Sequence, residues 1–128
     1  MSSGGGSSPT PNRTCTGNLK TNVRLVLVYQ PAYSLNGANW QTTPATQVAA
    51  NNSPASVFIA NGQNPDGRIT YQADDGTQFV LAFTMNGTNA INVIGNGGGA
   101  SGYNYSVASP GTGDTITAVY TISRSNSQ

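Results

Sequence analysis

The amino-acid sequence predicts a single all-β domain, an antiparallel β-sandwich built from seven to nine short strands. Small polar residues dominate the chain of 128 residues, which contains 16 Gly, 15 Asn, 15 Thr and 13 Ser. Gly, Asn and Ser favour turns, and Thr favours strands. Residues with high helix propensity are scarce, since Glu is absent and Lys occurs once. Short runs of alternating apolar and polar residues recur about every 8–12 residues, which is typical of sandwiches and barrels.

The first 18 residues contain mainly Gly, Ser, Pro and Thr and offer almost nothing apolar to a core. This composition is typical of a flexible linker, so we predict a disordered tail over residues 1–18 and a sandwich domain over residues 19–128. Removing residues 1–16 is therefore expected to leave the melting temperature nearly unchanged. Cys15 falls in this tail beside Arg13, and we interpret it as a passive residue. An exposed thiol that pairs two chains is the alternative.

The first half of the domain is predicted to contain four strands. Residues 23–30 alternate with a period of two and carry apolar residues on both faces, which indicates a central strand that Pro31 ends. Residues 33–40 form a short strand that Asn36-Gly37, a favoured hairpin turn, interrupts. A weak strand, a stronger strand and a loop follow at residues 47–50, 56–60 and 61–67.

The clearest supersecondary signal is a β-hairpin in the second half of the chain. Residues 68–73 and 78–85 both alternate, and Asp74-Asp75-Gly76 between them is predicted to form a turn with a side-chain oxygen capping backbone N–H groups. Asn86-Gly87 closes a second tight turn. The remaining elements are a strand, a glycine-rich loop and two strands at residues 90–94, 95–102, 103–108 and 115–123. The core-facing residues of the last strand are Ile116, Ala118, Tyr120 and Ile122.

The charge composition excludes several classes of function. Charged residues make up 7% of the chain, the net charge is +1 and no basic cluster is present, which argues against a nucleic-acid partner. Without His or Glu the chain has no Ser-His-Asp triad and no histidine-ligated zinc. The adjacent Asp74 and Asp75 point in opposite directions in an extended segment, and residues 95–99 lack the Gly-Lys-Ser/Thr sequence of a phosphate-binding loop. We therefore predict neither catalysis nor a bound metal or cofactor.

No transmembrane or targeting segment is visible in the sequence. The N-terminus lacks the apolar region of a signal peptide, and no run approaches 18 apolar residues. The single cysteine rules out an internal disulfide, the usual device of small secreted domains. A cytoplasmic protein is the simplest interpretation, and a secreted protein whose leader has been removed is the alternative.

Aromatic residues beside polar loops point to sugar binding. Segments rich in Asn, Gly and Ser flank Tyr33, Trp40, Tyr103 and Tyr105. An aromatic ring packs against the C–H face of a sugar, while amides and hydroxyls bond to the sugar's hydroxyl groups. A neutral site of this kind suits a lectin better than an enzyme.

Several segments resemble the mushroom fruit-body lectin family. The strongest is residues 67–71 (GRITY) followed by residues 74–82 (DDGTQFVLA), because the family shows a strand, an acidic turn and the pattern F-x-x-A at this spacing. Residues 26–30 (VLVYQ) resemble the family's first strand, and Trp40 falls about where the family has a tryptophan. The other similar segments are residues 92–96, 105–108 and 119–122.

The resemblance implies an actinoporin-like β-sandwich without enzymatic activity, which binds glycans of the Gal-β1,3-GalNAc type and forms homo-oligomers. It also implies a second site for N-acetylglucosamine and contact with membranes through glycoconjugates. The family's galactose-side contacts correspond to Gln63, Asn64 and Asn86 in this sequence, and those of the second site to Asn92 and Tyr105. We further predict that Asn86, at its tight turn, and Tyr105, on a strand beside polar loops, line one glycan pocket.

Two other functional classes fit the same sequence features. A membrane-active or lipid-binding module of actinoporin or aegerolysin type is also a small sandwich poor in helix, and Tyr103 and Tyr105 would form its binding patch. A structural subunit of a filament or virion would use the low charge, the flexible arm and the edge strands for repeated packing. The lectin is the preferred hypothesis.

Overall fold

The computed structural model describes residues 12–28, 32–51, 55–96, 102–108 and 110–124. Nine strands make up this part of the chain, and it contains no helix that is long and apolar enough to cross a membrane. The strands are β1 (Arg13–Thr21), β2 (Leu25–Leu27), β3 (Tyr33–Thr42), β4 (Gln47–Val48), β5 (Ala55–Ala73), β6 (Gln78–Met85), β7 (Asn89–Asn96), β8 (Tyr103–Val107) and β9 (Thr115–Arg124).

The two layers of the sandwich share one long strand. β5 runs for 19 residues, and β3 pairs with it antiparallel along much of this length. The first part of β5 also pairs with β1, which continues through a parallel β9 to β8. The second part of β5 pairs with β6, which continues to β7, while β2 joins the opposite edge and carries β4. The sheet does not close on itself, which confirms the predicted all-β sandwich.

Aromatic and aliphatic side chains fill the space between the layers. β6 alternates strictly, and its almost fully buried residues are Phe79, Leu81, Phe83 and Met85. The predicted inner face of β9 is buried as well. Two buried tyrosines donate their hydroxyl groups to backbone carbonyls, Tyr71 to Ala45 at 2.7 Å and Tyr120 to Ala82 at 2.8 Å. Their rings therefore join the apolar core without leaving a polar atom unsatisfied.

The prediction of a tail over residues 1–18 is wrong from Arg13 onward. β1 begins at Arg13 and lies between β5 and β9, so it is a central strand of its layer. Cys15 and Leu19 are fully buried, and an exposed thiol is therefore ruled out. The error arose because Thr, Asn and Gly, which dominate this strand, can satisfy their backbone groups on both sides in a central position. Residues 1–11 lie outside the described residues.

Two segments that carry turn-forming residues are strands. Asn36-Gly37 makes no hairpin; Gly37 takes a φ of +71°, and the β3–β5 register shifts there by a bulge. Residues 61–67, predicted as a loop, belong to β5 and pair with β3 at Gly62. A Cβ at Gly62 would come within 2.4 Å of the Ala38 Cα, so glycine here allows two backbones to approach closely.

The second half of the chain follows the prediction more closely. The hairpin of β5 and β6 is confirmed with Gln72 opposite Gln78, and β7, β8 and β9 occupy the predicted segments. Two predicted strands in the first half are shorter than expected, since β2 covers only Leu25–Leu27 and β4 only Gln47–Val48. Residues 29–31, within the first of them, and residues 97–101, within the glycine-rich loop, lie outside the described residues.

Candidate functional site

One end of the sandwich gathers polar side chains from four places in the chain. The start of β1, the middle of β5, the β6–β7 turn and the connection from β8 to β9 meet there. The β5–β6 register, in which Asp66 faces Thr84, places Asn64 level with Asn86 when it is extended by two residues. We call this group the polar end, and its members are Arg13, Gln63, Asn64, Asn86, Asn89 and Asp114.

Arg13 ties three of these segments together. Its Nη1 donates to the backbone oxygen of Gln63 at 2.7 Å and to Oδ1 of Asn64 at 2.8 Å. Its Nε donates to Oδ1 of Asp114 at 3.3 Å, and the arginine side chain is only 14% exposed. Because Arg13 occupies the acceptor oxygen of Asn64, the amide nitrogen of this exposed side chain is the end left to donate to a ligand.

The β6–β7 turn presents Asn86 on an anchored support. Gly87 has a φ of +106°, which suits the tight turn, and Asn86 is exposed. Asn89, the first residue of β7, donates from Nδ2 to the carbonyls of Gly111 at 3.1 Å and Gly113 at 3.0 Å. These bonds hold the β8–β9 connection beside the turn, so the polar end is a fixed surface of amides. Three of the five predicted sugar contacts, Gln63, Asn64 and Asn86, are thus brought to one place.

The other two predicted contacts lie on opposite faces of β7. Asn92 is exposed on the outer face, and its Oδ1 accepts from the backbone N–H of Val93 at 2.9 Å. Tyr105, 37% exposed, packs against Phe79 with ring centroids 5.7 Å apart. Its ring also covers the inner side of Gly95, where a Cβ would approach it within 2.9 Å. The structure therefore does not bring Asn92 and Tyr105 together.

Asn86 and Tyr105 are too far apart to line one pocket. Asn86 immediately precedes the start of β7, whereas Tyr105 covers Gly95 near the end of that strand. Six residues of β-strand separate Asn89 from Gly95, a distance of roughly 20 Å. The prediction of a single pocket is therefore wrong, while the role of each residue as a sugar contact stays a prediction.

The aromatic residues expected beside the loops divide into two groups. Trp40 packs edge-on against Phe58 at 5.6 Å and Phe83 at 6.1 Å, and Tyr103 is buried. Tyr33 and Tyr105 remain the exposed rings of this set, at 39% and 37%. Trp40 and Tyr103 therefore serve the core, and only the other two present ring surface to solvent.

Asp75, in the β5–β6 turn, caps the backbone as predicted and also links the two layers. Its Oδ1 accepts from the N–H of Thr77 at 3.0 Å, and its Oδ2 accepts from the Tyr103 hydroxyl at 3.1 Å. Arg124 lies 3.8 Å from Oδ2 and 5.8 Å from the Tyr103 ring centroid. The Thr77 N–H most of all, and then Tyr103 and Arg124, lower the pKa of the Asp75 carboxyl. The cluster fixes the turn to β8 and β9, a link that no sequence spacing indicated.

Other chemically reactive groups are few. Burial raises the pKa of the Cys15 thiol to about 12, which keeps it protonated at neutral pH. No three His, Cys, Asp or Glu side chains among the described residues lie together as metal ligands. Three surface depressions have volumes of about 490, 250 and 240 Å³, and none of these three is lined by a predicted sugar contact. The polar end is a surface rather than a deep pocket.

Comparison with known proteins supports the fold. The chain matches no family model and no curated protein. Among solved structures it is similar to the crystal structure of a mushroom lectin, Xerocomus chrysenteron XCL, in a form carrying three substitutions. The match has a TM-score of 0.56 and 11% sequence identity, and it covers 89% of this chain and 99% of the lectin chain. The two chains therefore share a β-sandwich fold.

Proposed function

We propose that the protein is a carbohydrate-binding lectin without catalytic activity, and that its principal site is the polar end. The observation that carries this proposal is the pair of exposed amides, Asn64 and Asn86, which lie level with each other on anchored backbone. The likeness in fold to a protein named as a lectin supports the same function. The absence of His and Glu from the sequence supports a binding role over a catalytic one.

The chemistry of the polar end suits a neutral sugar. Sugar hydroxyls both donate and accept hydrogen bonds, and an amide side chain offers both functions without a full charge. Arg13 is engaged by Gln63, Asn64 and Asp114, so its charge is compensated and does not dominate the surface. We propose galactose or N-acetylgalactosamine, in glycans of the Gal-β1,3-GalNAc type, as the ligand that Gln63, Asn64 and Asn86 contact.

We further propose that Asn92 and Tyr105 contact N-acetylglucosamine at separate subsites, since they lie on opposite faces of β7. Tyr105 offers part of its ring to the C–H face of a sugar, and Asn92 offers its amide nitrogen. Assembly into a homo-oligomer would present several weak sites at once, and membrane glycoconjugates carry many copies of a glycan. Binding would then gain strength from multivalency.

A glycan array followed by one pair of variants tests the principal site. We expect the parent protein to bind galactose-terminated glycans. Asn86→Asp keeps the turn, because Asp-Gly also suits it, but removes the amide donor, so affinity should fall by about 1–3 kcal/mol with little change in melting temperature.

The matched control for this variant is Gln72→Glu. It adds the same negative charge to an exposed strand position at the other end of the hairpin, and it keeps the oxygen that accepts from Gln78 at 3.1 Å. We expect Gln72→Glu to bind the glycan like the parent. A parent that binds no glycan would overturn the lectin proposal, and equal affinities of both variants would overturn the placement of the site.

A further inference from the structure

A groove opens where β2 and β3 meet along the same edge of β5. Leu27 of β2 pairs with Tyr71, and Tyr33 of β3 pairs with Ile69, so Thr70 falls at the junction between the two strands. The groove has a volume of about 250 Å³. We call it the junction groove, and its lining residues are Ala32, Tyr33, Ser34, Arg68, Thr70 and Val80. None of them belongs to the polar end.

Arg68 brings an uncompensated positive charge to the junction groove. Its cross-strand neighbours are Ser34 and Ala82, which offer a hydroxyl and a methyl group rather than a carboxylate. It forms no ion pair or hydrogen bond with any other described residue. Asp66, two residues away on β5, instead accepts from the Thr84 hydroxyl at 3.5 Å.

The other three arginines all have partners. Arg13 pairs with Asp114, Arg124 with Asp75, and the guanidinium of Arg24 donates to Gln47 at 2.7 Å. Arg68 is therefore the one arginine whose planar donors are unused within the described part of the chain. A guanidinium in this state matches a ligand carboxylate, which it can bind through two parallel hydrogen bonds.

Tyr33 adds a fixed aromatic ring at the same groove. It is 39% exposed, yet its ring stands edge-on to Trp40 with centroids 5.5 Å apart. Trp40 is itself packed on Phe58 and Phe83, so the exposed tyrosine is supported by the core. Such a ring offers apolar contact to a sugar with little loss of side-chain entropy, and the hydroxyls of Ser34 and Thr70 supply neutral hydrogen-bonding groups.

We propose that the junction groove is a binding site for an acidic sugar, in which the carboxylate of a uronic acid pairs with Arg68. The pyranose ring lies against Tyr33, and its hydroxyls bond to Ser34 and Thr70. This site is separate from the polar end and takes a charged ligand where the polar end takes a neutral one. It therefore stands or falls independently of the galactose site.

Titration with two matched sugars tests the ligand class. Methyl β-glucuronide and methyl β-glucoside differ at one carbon, which is a carboxylate in the first and a hydroxymethyl in the second. With isotope-labelled protein we expect the glucuronide to bind about tenfold or more tightly, as a charge-assisted contact allows, and to shift the amide signals of Arg68 and Thr70. Raising the salt concentration should weaken this binding and leave the glucoside unaffected. Equal affinities, or shifts confined to the polar end, would overturn the proposal.

A pair of arginine variants tests the residue. Arg68→Gln and Arg24→Gln each remove one positive charge from an exposed position, so they lower the net charge of the protein equally. We expect Arg68→Gln to lose the preference for glucuronide over glucoside and Arg24→Gln to keep it. An equal loss in both variants would assign the preference to the overall charge and overturn the site. A glucuronide preference that persists when Asn86→Asp has lost galactose binding would support two separate sites.

Discussion

At the scale of single residues, glycines inside strands mark where aromatic rings cover the backbone. A Cβ at Gly17 would approach the Phe58 ring within 2.0 Å, one at Gly67 would approach Phe83 within 2.5 Å, and Gly95 lies under Tyr105. Glycine normally weakens a strand, but here its missing side chain leaves room for a ring. The high glycine content of the sequence therefore serves core packing as well as turns.

Gly17→Ala tests this use of glycine. The added methyl group collides with the buried ring of Phe58, so we expect the free energy of unfolding to fall by about 1–3 kcal/mol, the usual cost of overpacking. Urea denaturation measures the change. The control is Gly102→Ala, because a Cβ there meets nothing within 4 Å, and its effect should stay within about 0.5 kcal/mol. Equal stabilities of the two variants would contradict the packing role.

At the scale of elements, regular alternation predicted strands well and polar strands poorly. The β5–β6 hairpin and β9 bury one face and expose the other, so their hydrophobic period is visible in the sequence. β1 and the middle of β5 consist largely of Thr, Asn, Gly and Gln, and cross-strand pairing on two sides keeps them in place. That pairing depends on residues distant in the chain, so local patterns could not reveal it.

The Asp75 link between the β5–β6 turn and β8–β9 predicts a pH-dependent stability. Because its folded-state pKa lies below the unfolded value of about 3.9, the carboxylate stabilises the fold above that pH and loses this effect as the pH falls through the folded pKa. Asp75→Asn keeps an oxygen for the Thr77 N–H but loses the ion pair with Arg124. We expect it to melt below the parent at about pH 7 and to approach the parent at about pH 3.

Thermal melts of Asp75→Asn across this pH range should be compared with melts of Asp74→Asn. Asp74 makes none of these contacts, although it removes the same charge from the same turn. We expect the gap between parent and variant to depend on pH only for Asp75→Asn. A gap that is constant from neutral to acidic pH would show that the carboxylate charge of Asp75 does not stabilise the link.

At the scale of the whole molecule, the sequence indicated the candidate site in pieces but not its arrangement. Gln63, Asn64 and Asn86 were predicted as contacts, and the extended register of β5 and β6 places Asn64 and Asn86 level with each other. The part played by Arg13 was missed because the strand that carries it was taken for a tail. The separation of Asn86 from Tyr105 was missed as well, because only the order of β7 and β8 in the sandwich fixes it.

Truncation of the N-terminus tests whether β1 belongs to the fold. A chain that starts at Asn12 keeps all of β1, whereas one that starts at Gly17 loses Arg13–Thr16. These residues pair with β5 on one side and β9 on the other, and they include the fully buried Cys15. Their loss would uncover core surface and leave backbone donors and acceptors of two neighbouring strands unpaired.

We therefore expect the chain starting at Asn12 to melt like the full-length protein, because the described core begins at Cys15. The chain starting at Gly17 should melt more than about 5 °C lower, which corresponds to a loss of the order of 1 kcal/mol or more, or should fail to fold. Circular dichroism followed through a thermal melt compares the three chains, and galactose binding of any folded truncation reports on the loss of Arg13 from the polar end. Equal melting temperatures for the two truncations would mean that the first half of β1 contributes nothing to the sandwich, as a tail over residues 1–18 requires.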